Sequence, residues 1–232
     1  MKLAIMQPYF LPYIGYFQLM AAVDQFVVYD RIKYTKKGWI NRNRFLLNGS
    51  DAMFSLPLKK GSDALDIVKR ELASDFDRGK LLCQFAGSYR RAPHFAQTFA
   101  LMERIVRHPD NNLFGYIHHA LITLCTHLAV QTEIRVASAL PYDNELKGQD
   151  KVLAICQATG ARHYINAIGG TELYAKPDFA ARGIELQFLK PRPFDYPQFS
   201  QPFVPWLSIV DVLMFNPVEA VRTCLGHNYD LV

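Results

Sequence analysis

Apolar and polar positions change their spacing several times within the first thirty residues. Leu3–Met6 is a short continuous apolar run, the length of a buried strand. Gln7-Pro8 and Pro12 interrupt it, because proline has no backbone N–H and biases its predecessor away from helix. From Tyr13 the apolar residues recur at Ile14, Phe17 and Met20–Ala21, one face of a helix, and beyond Asp24 a second strand pattern covers Phe26–Tyr29. Strand, proline-rich loop, helix and strand make a βαβ unit, and such units build parallel sheets whose ligands sit where strands end and loops begin.

The later pattern extends this layout. Arg31–Asn48 is basic, and in extended chain Asn41 and Asn43 would share one face while Arg42 and Arg44 share the other. A strand is expected at Phe54–Leu58, followed by a turn over Lys59–Asp63. Amphipathic spacing predicts helices over Arg78–Tyr89, Phe95–Val106 and Leu113–Leu128, with a break at Ala92-Pro93-His94. Glu133–Ala137 resumes the strand pattern. Asp150 reads as the N-cap of a helix over Lys151–Thr159 that Gly160 closes. Arg162–Ala167 is a strand that runs into Ile168–Tyr174, with the pair Gly169-Gly170, and Ile184–Leu189 is the last clear strand. Five prolines make Lys190–Pro205 an irregular arm. Ser208–Asp211 reads as a capping box, and Asn216 as the cap of a final helix with Pro217 at its first position. The expected fold is α/β: a Rossmann-like, mostly parallel sheet with helices on both faces and a helical insertion. Its parts are an N-terminal βαβ half at 1–75, the insertion at 76–130 and a C-terminal α/β half at 131–232, within one compact domain.

Composition narrows the partners. The 232 residues are 50% hydrophobic and 20% charged, with net charge +5, far short of the basic stripe that nucleic-acid binding calls for. No basic leader or long apolar run is present, so a cytoplasmic protein without a membrane partner is expected. The four cysteines form no CxxC pair and read as reduced thiols on apolar faces. His118 and His119 point about 100° apart on their helix, which with the distant His127 makes a poor metal site. No metal is expected, and the oligomeric state is left open.

The chemistry gathers in two loops. Gln7, Tyr9, Tyr13 and Tyr16 place amide and phenol groups around Gly15, where a missing side chain allows close approach to a helix start. Asn166, Gly169, Gly170 and Tyr174 form the second loop, whose backbone N–H groups can polarise a carbonyl. Both loops are expected at one end of a parallel sheet, around a single cavity. Arg42 and Arg44 match a diphosphate, Asn41 a hydroxyl or amide, and Tyr196 and Gln198 are expected to reach back over the cavity. His163 is the nearest base, with Tyr16 and Tyr174 as further catalytic candidates.

The segments MQPYFLPYIGYFQLM, GWINRNRF, ARHYINAIGGTELYAKPDFAARGIELQFLK and PWLSIVDVLMFNP resemble the WbqC-like proteins across nearly the whole chain. The matching motif positions include Gln7, Pro8, Tyr9, Pro12, Gly15, Tyr16, Asn41 and Arg42, then Asn166, Gly169, Gly170, Tyr174 and Gln198. Where the family often carries a serine pair, this chain reads Ser138-Ala139. The resemblance implies transfer of glycine or another acyl group to an amino sugar, in the synthesis of surface polysaccharide such as O-antigen. A fainter similarity links Tyr13-Ile14-Gly15-Tyr16 to the His-Ile-Gly-His-type helix start of nucleotidyltransferases and class I aminoacyl-tRNA synthetases, and so to a HUP-like fold. Tyrosine lacks the imidazolium charge that this chemistry uses.

Three readings follow. The first is an acyl or aminoacyl transferase acting on a sugar nucleotide. The second is an ATP-dependent carboxylate-activating or nucleotidyl-transfer enzyme. The third is a sugar-nucleotide-binding protein without catalysis. A nucleotide or an activated acyl donor is the cofactor these readings imply.

Overall fold

A computed structural model describes residues 1–62, 64–199 and 202–232. Asp63, in the turn expected at 59–63, and Ser200 and Gln201, within the arm, lie outside the described residues.

The first unit forms as its pattern dictates: β1 (Lys2–Met6), α1 (Ile14–Ala21) and β2 (Gln25–Val28). An antiparallel hairpin follows, β3 (Arg42–Leu47) with β4 (Ser50–Ser55), and makes a sheet of its own. The insertion contributes α2 (Arg78–Tyr89), α3 (Phe95–Val106) and α4 (Leu113–His127). The chain then alternates through β5 (Glu133–Val136), α5 (Gly148–Thr159), β6 (His163–Ala167), α6 (Lys176–Ala180) and β7 (Glu185–Pro191). After the arm come α7 (Ile209–Phe215), α8 (Val218–His227) and β8 (Tyr229–Leu231).

The main sheet runs β5-β2-β1-β6-β7-β8, parallel except for β8. The chain starts in the middle, winds outward through β2 and β5, then returns to the other side of β1. Strand order therefore reverses between β1 and β6, the place where open α/β sheets leave a crevice. The registers widen it. β1 pairs with β2 from Leu3↔Gln25 to Met6↔Val28, and β6 pairs with β7 along its whole length. Between β1 and β6 the ladder holds only Lys2↔His163 and Leu3↔Tyr164. Beyond these two pairs the central strands share no ladder pair among the described residues.

Each face of the sheet has its own core. Ala4, Phe26 and Val28 face α1, α7 and the insertion helices, while Leu3, Ile5 and Val27 face α5 and α6. Alternation along β1 and β2 feeds both cores, as strands covered on both sides require.

Several local expectations are corrected. The second hairpin strand is Ser50–Ser55, not Phe54–Leu58, because Asn48 (φ 52°) and Gly49 (φ 80°) form a tight turn with two positive φ values. The helix expected at Lys151 begins at Gly148 with Lys147 at the cap; Asp150 sits in its first turn, where the helix dipole favours a carboxylate. Asn216 ends α7 and bonds back to the Val212 carbonyl, so Pro217 caps α8. Cys83 is exposed, whereas Cys125, Cys156 and Cys224 are buried. Strand β8 was absent from the sequence pattern, since three residues carry no period. Gly160 does close α5, at φ 69°. Among the described residues no helix is long and apolar enough to cross a membrane.

Candidate functional site

At the C-terminal end of the sheet the loop Gln7–Tyr13 is knitted to the hairpin and to the end of the arm. Phe10 N–H reaches Ile40 O at 2.9 Å, Ser208 N–H reaches Arg44 O at 2.9 Å, and Ile209 N–H reaches Pro12 O at 2.8 Å. Leu11 is fully buried at φ 47°, a conformation that disfavours a branched residue. Its carbonyl is held by Asn43 Nδ2 at 2.9 Å and Ser208 Oγ at 2.7 Å. Tyr16 is buried and donates to Gln7 O at 2.9 Å. The loop is thus fixed through its backbone, and three side-chain groups stay unspent. The Gln7 amide and the Tyr9 and Tyr13 hydroxyls make no hydrogen bond among the described residues. Burial pushes both phenols above their ordinary range, and for Tyr13 the neighbouring Tyr9 adds to it, so both remain neutral O–H donors near pH 7. The space above Gly15 is filled by Tyr13 itself: a Cβ there would lie 2.4 Å from that ring.

Tyr13 and Trp206 stand edge to face, centroids 6.0 Å apart, as the common wall of two cavities. The larger, about 430 Å³, runs from Tyr13 and Ile14 to Lys190 at the end of β7 and to Arg192 and Asp195 beyond it. Arg192 is held to Asp230 of β8 by a two-toothed ion pair, whereas Asp195 makes no hydrogen bond or ion pair among the described residues. The smaller, about 190 Å³, is lined by Tyr9, Pro12, Tyr13, Trp39, Arg44 and Trp206, with Asn43. Arg44 is committed on two sides: it lies 3.3 Å from Asp51 and 3.3 Å from the Trp206 carbonyl, with its guanidinium over the Trp39 ring. Arg42, on the same face of β3, spends its Nε on Gly38 O and has no other hydrogen bond or ion pair among the described residues.

The second expected loop shares this end of the sheet but not this side. Ile168 and Tyr174 pack on the α5–α6 core, while Tyr9 and Ile14 pack on the other. Residues Ile168–Leu173 form a 3₁₀ turn. Asn166 accepts from the N–H of Ala167 at 2.8 Å, and its amide covers Gly170, where a Cβ would come within 2.7 Å. The Tyr174 ring meets Tyr164 and Phe179 edge-on, and only Gly169 faces open space. The cavities beside Tyr13 are walled by the arm and the hairpin, not by Asn166 or Gly170.

Other candidates lie elsewhere or are occupied. His163 begins β6, at the far end of the sheet, 3.1 Å from Glu185. Asn41 accepts from Tyr34 at 2.8 Å and donates to Leu56 O at 2.7 Å, so it fastens loops. Gln198 and Tyr196 turn inward to Asp211 Oδ1, at 3.0 and 2.7 Å, although the Tyr196 ring also lines the larger cavity. Sequence reasoning passed over Trp39, Trp206, Lys190 and Asp195. Both tryptophans stood inside quoted motifs, but a tryptophan on a wall and one in a core read alike in a pattern of apolar positions.

Comparison with known proteins fits the extent of these motifs. The model of the WbqC-like protein family matches residues 7–223. The uncharacterized protein Rv1507c of Mycobacterium tuberculosis is 26% identical over 222 residues, spanning 94% of this chain and 95% of that one. No solved structure matches.

Proposed function

The chain belongs to the WbqC-like protein family, and from that premise we propose that it is a transferase acting at the strand-order reversal, moving an acyl or aminoacyl group onto a small amino-sugar or sugar-nucleotide acceptor in surface-polysaccharide biosynthesis. The observation that carries the proposal is the larger cavity between the start of α1, the end of β7 and the arm. Its lining includes Tyr13, with its unspent hydroxyl, and Asp195, whose carboxylate has no hydrogen bond or ion pair among the described residues.

In this reading the acceptor amine attacks the carbonyl of the activated donor. The N–C bond forms, the bond from the carbonyl carbon to the leaving group breaks, and the proton released by the amine passes to Asp195. The Tyr13 hydroxyl donates to the oxygen on which charge develops. Lys190, on the lining of that cavity, attracts a diphosphate; Arg44, matched by Asp51, is replaced in that role.

ATP-dependent carboxylate activation is supported by the strand order and by a cavity next to the start of α1. It is opposed by the Tyr13 ring, which stands on Gly15 where a phosphate would approach the helix N-terminus.

The test is mass spectrometry of acylated product over a panel of activated acyl and aminoacyl donors with amino sugars and their UDP and dTDP forms. Product should form, and Asp195→Asn should lower kcat by about a hundredfold or more with the melting temperature kept. Tight sugar-nucleotide binding with no product across the panel would leave a binding protein. ATP–pyrophosphate exchange that depends on a carboxylate would favour the activating enzyme.

A further inference from the structure

The smaller cavity has a feature that the transfer chemistry does not use. Trp39 and Trp206 are the chain's two tryptophans, and both are exposed, at 42% and 61%. They border one cavity of about 190 Å³ with Tyr9 and Tyr13. Large exposed aromatic faces that converge are rare on a surface without a partner. Trp206 is also held at φ 60°, which an L-residue adopts at a cost, and its carbonyl is fastened by Arg44. The fold thus retains a strained backbone that keeps an indole out in solvent.

We propose that this groove binds the pyranose ring of a saccharide, stacked on the tryptophan faces. Four observations select that ligand. The cation in the groove is matched, since Arg44 pairs with Asp51, so a phosphate or carboxylate gains little there. The unspent polar groups on its lining are the Tyr9 and Tyr13 hydroxyls, donors suited to ring and hydroxyl oxygens. Tyr13 and Trp206 are inclined at 63°, so they make no parallel slot for a flat nucleobase, while each face can meet the C–H side of a puckered sugar. The volume lies below the roughly 300 Å³ at which sites for drug-sized ligands begin, which suits one ring rather than a whole nucleotide. The inference rests on the transferase reading only in making this ring part of the acceptor. The shared Tyr13–Trp206 wall would then set the sugar next to the larger cavity.

Because no other tryptophan exists in the chain, intrinsic fluorescence reports this groove directly. The protein is titrated with N-acetylglucosamine, N-acetylgalactosamine and methyl glucoside, and in parallel with UMP and inorganic phosphate. A saturable change with at least one saccharide is expected, weakened about tenfold in Trp206→Ala and largely retained in Trp206→Phe, with unchanged melting. A response to UMP or phosphate but to none of the sugars overturns the inference. So does saccharide binding that Trp39→Ala and Trp206→Ala leave unaltered, read for those variants by calorimetry. Acylated product from an enzyme whose fluorescence ignores every sugar would end the groove and spare the transferase; sugar binding without product would do the opposite.

Discussion

The hydroxyl of Tyr89 donates to Asp211 Oδ2 at 2.8 Å and accepts the backbone N–H of Leu46 at 2.8 Å. One tyrosine thereby joins three segments far apart in the chain: insertion helix α2, helix α7 and hairpin strand β3. Asp211 is fully buried and accepts on its other oxygen from Tyr196 and Gln198. The capping residue of α7 is Ser208, which accepts from Val210 N–H at 3.3 Å, so Asp211 is free to serve as the hub behind the arm and the hairpin. The walls of both cavities hang on that hub.

Tyr89→Phe removes one of the three donors and leaves both Asp211 Oδ2 and the Leu46 N–H short of a partner. The variant should lose about 1–3 kcal/mol of stability, measured by urea unfolding. An unchanged midpoint would show that water replaces the phenol.

Asp211 also sets a pH dependence. Burial pushes its carboxyl above the ordinary range, against the pull of its three hydrogen bonds. The folded state therefore binds this proton more tightly than the unfolded chain does. Its contribution to stability falls as pH rises from about 4, the unfolded value, through the raised folded value, and is level above that. Asp211→Asn should abolish this fall, as shown by comparing urea midpoints of the two proteins across that window.

Gly15→Ala tests a side chain rather than the backbone. The new methyl would meet the Tyr13 ring at 2.4 Å, and the ring, half-buried and free at its tip, can swing aside. Helix propensity favours alanine by about 1 kcal/mol, so stability should hold or rise. Ligand binding should fall as it does in Tyr13→Ala, because the wall between the cavities has moved. Equal binding by wild type and Gly15→Ala would detach Tyr13 from the site.

Trp206→Gly removes an exposed indole from a left-handed position. The strain relieved is about 1–2 kcal/mol, and little apolar burial is lost. Glycine costs conformational entropy of about 1 kcal/mol in return. The melting temperature should be level or higher while sugar binding disappears. A large drop in melting temperature would mean that the indole supports the fold.

Most elements were legible because their signals are local. The βαβ opening, the bounds of α2 and α3 and the left-handed Gly160 all follow from periodicity and caps. The alternation at 41–44 also separated the asparagines from the arginines by face, and the structure buries the asparagine face. The tight turn at Asn48-Gly49 is also a local signal, since Asn-Gly favours the two positive φ values that the turn adopts. What the chain's pattern does not contain is the side of the sheet on which a loop lies.

Residue spacing along the chain specified most of the elements and the mostly parallel sheet, since periods of 2.0 and 3.6 residues are a property of neighbours along the chain. Tertiary structure alone decided that the Tyr13 loop meets the arm after β7 and the hairpin, while the Asn166 loop turns to the opposite core. It also decided that His163 lies at the far end of the sheet and that both tryptophans face outward. Those outcomes depend on the handedness and order of crossovers between distant strands. No window of consecutive residues records them.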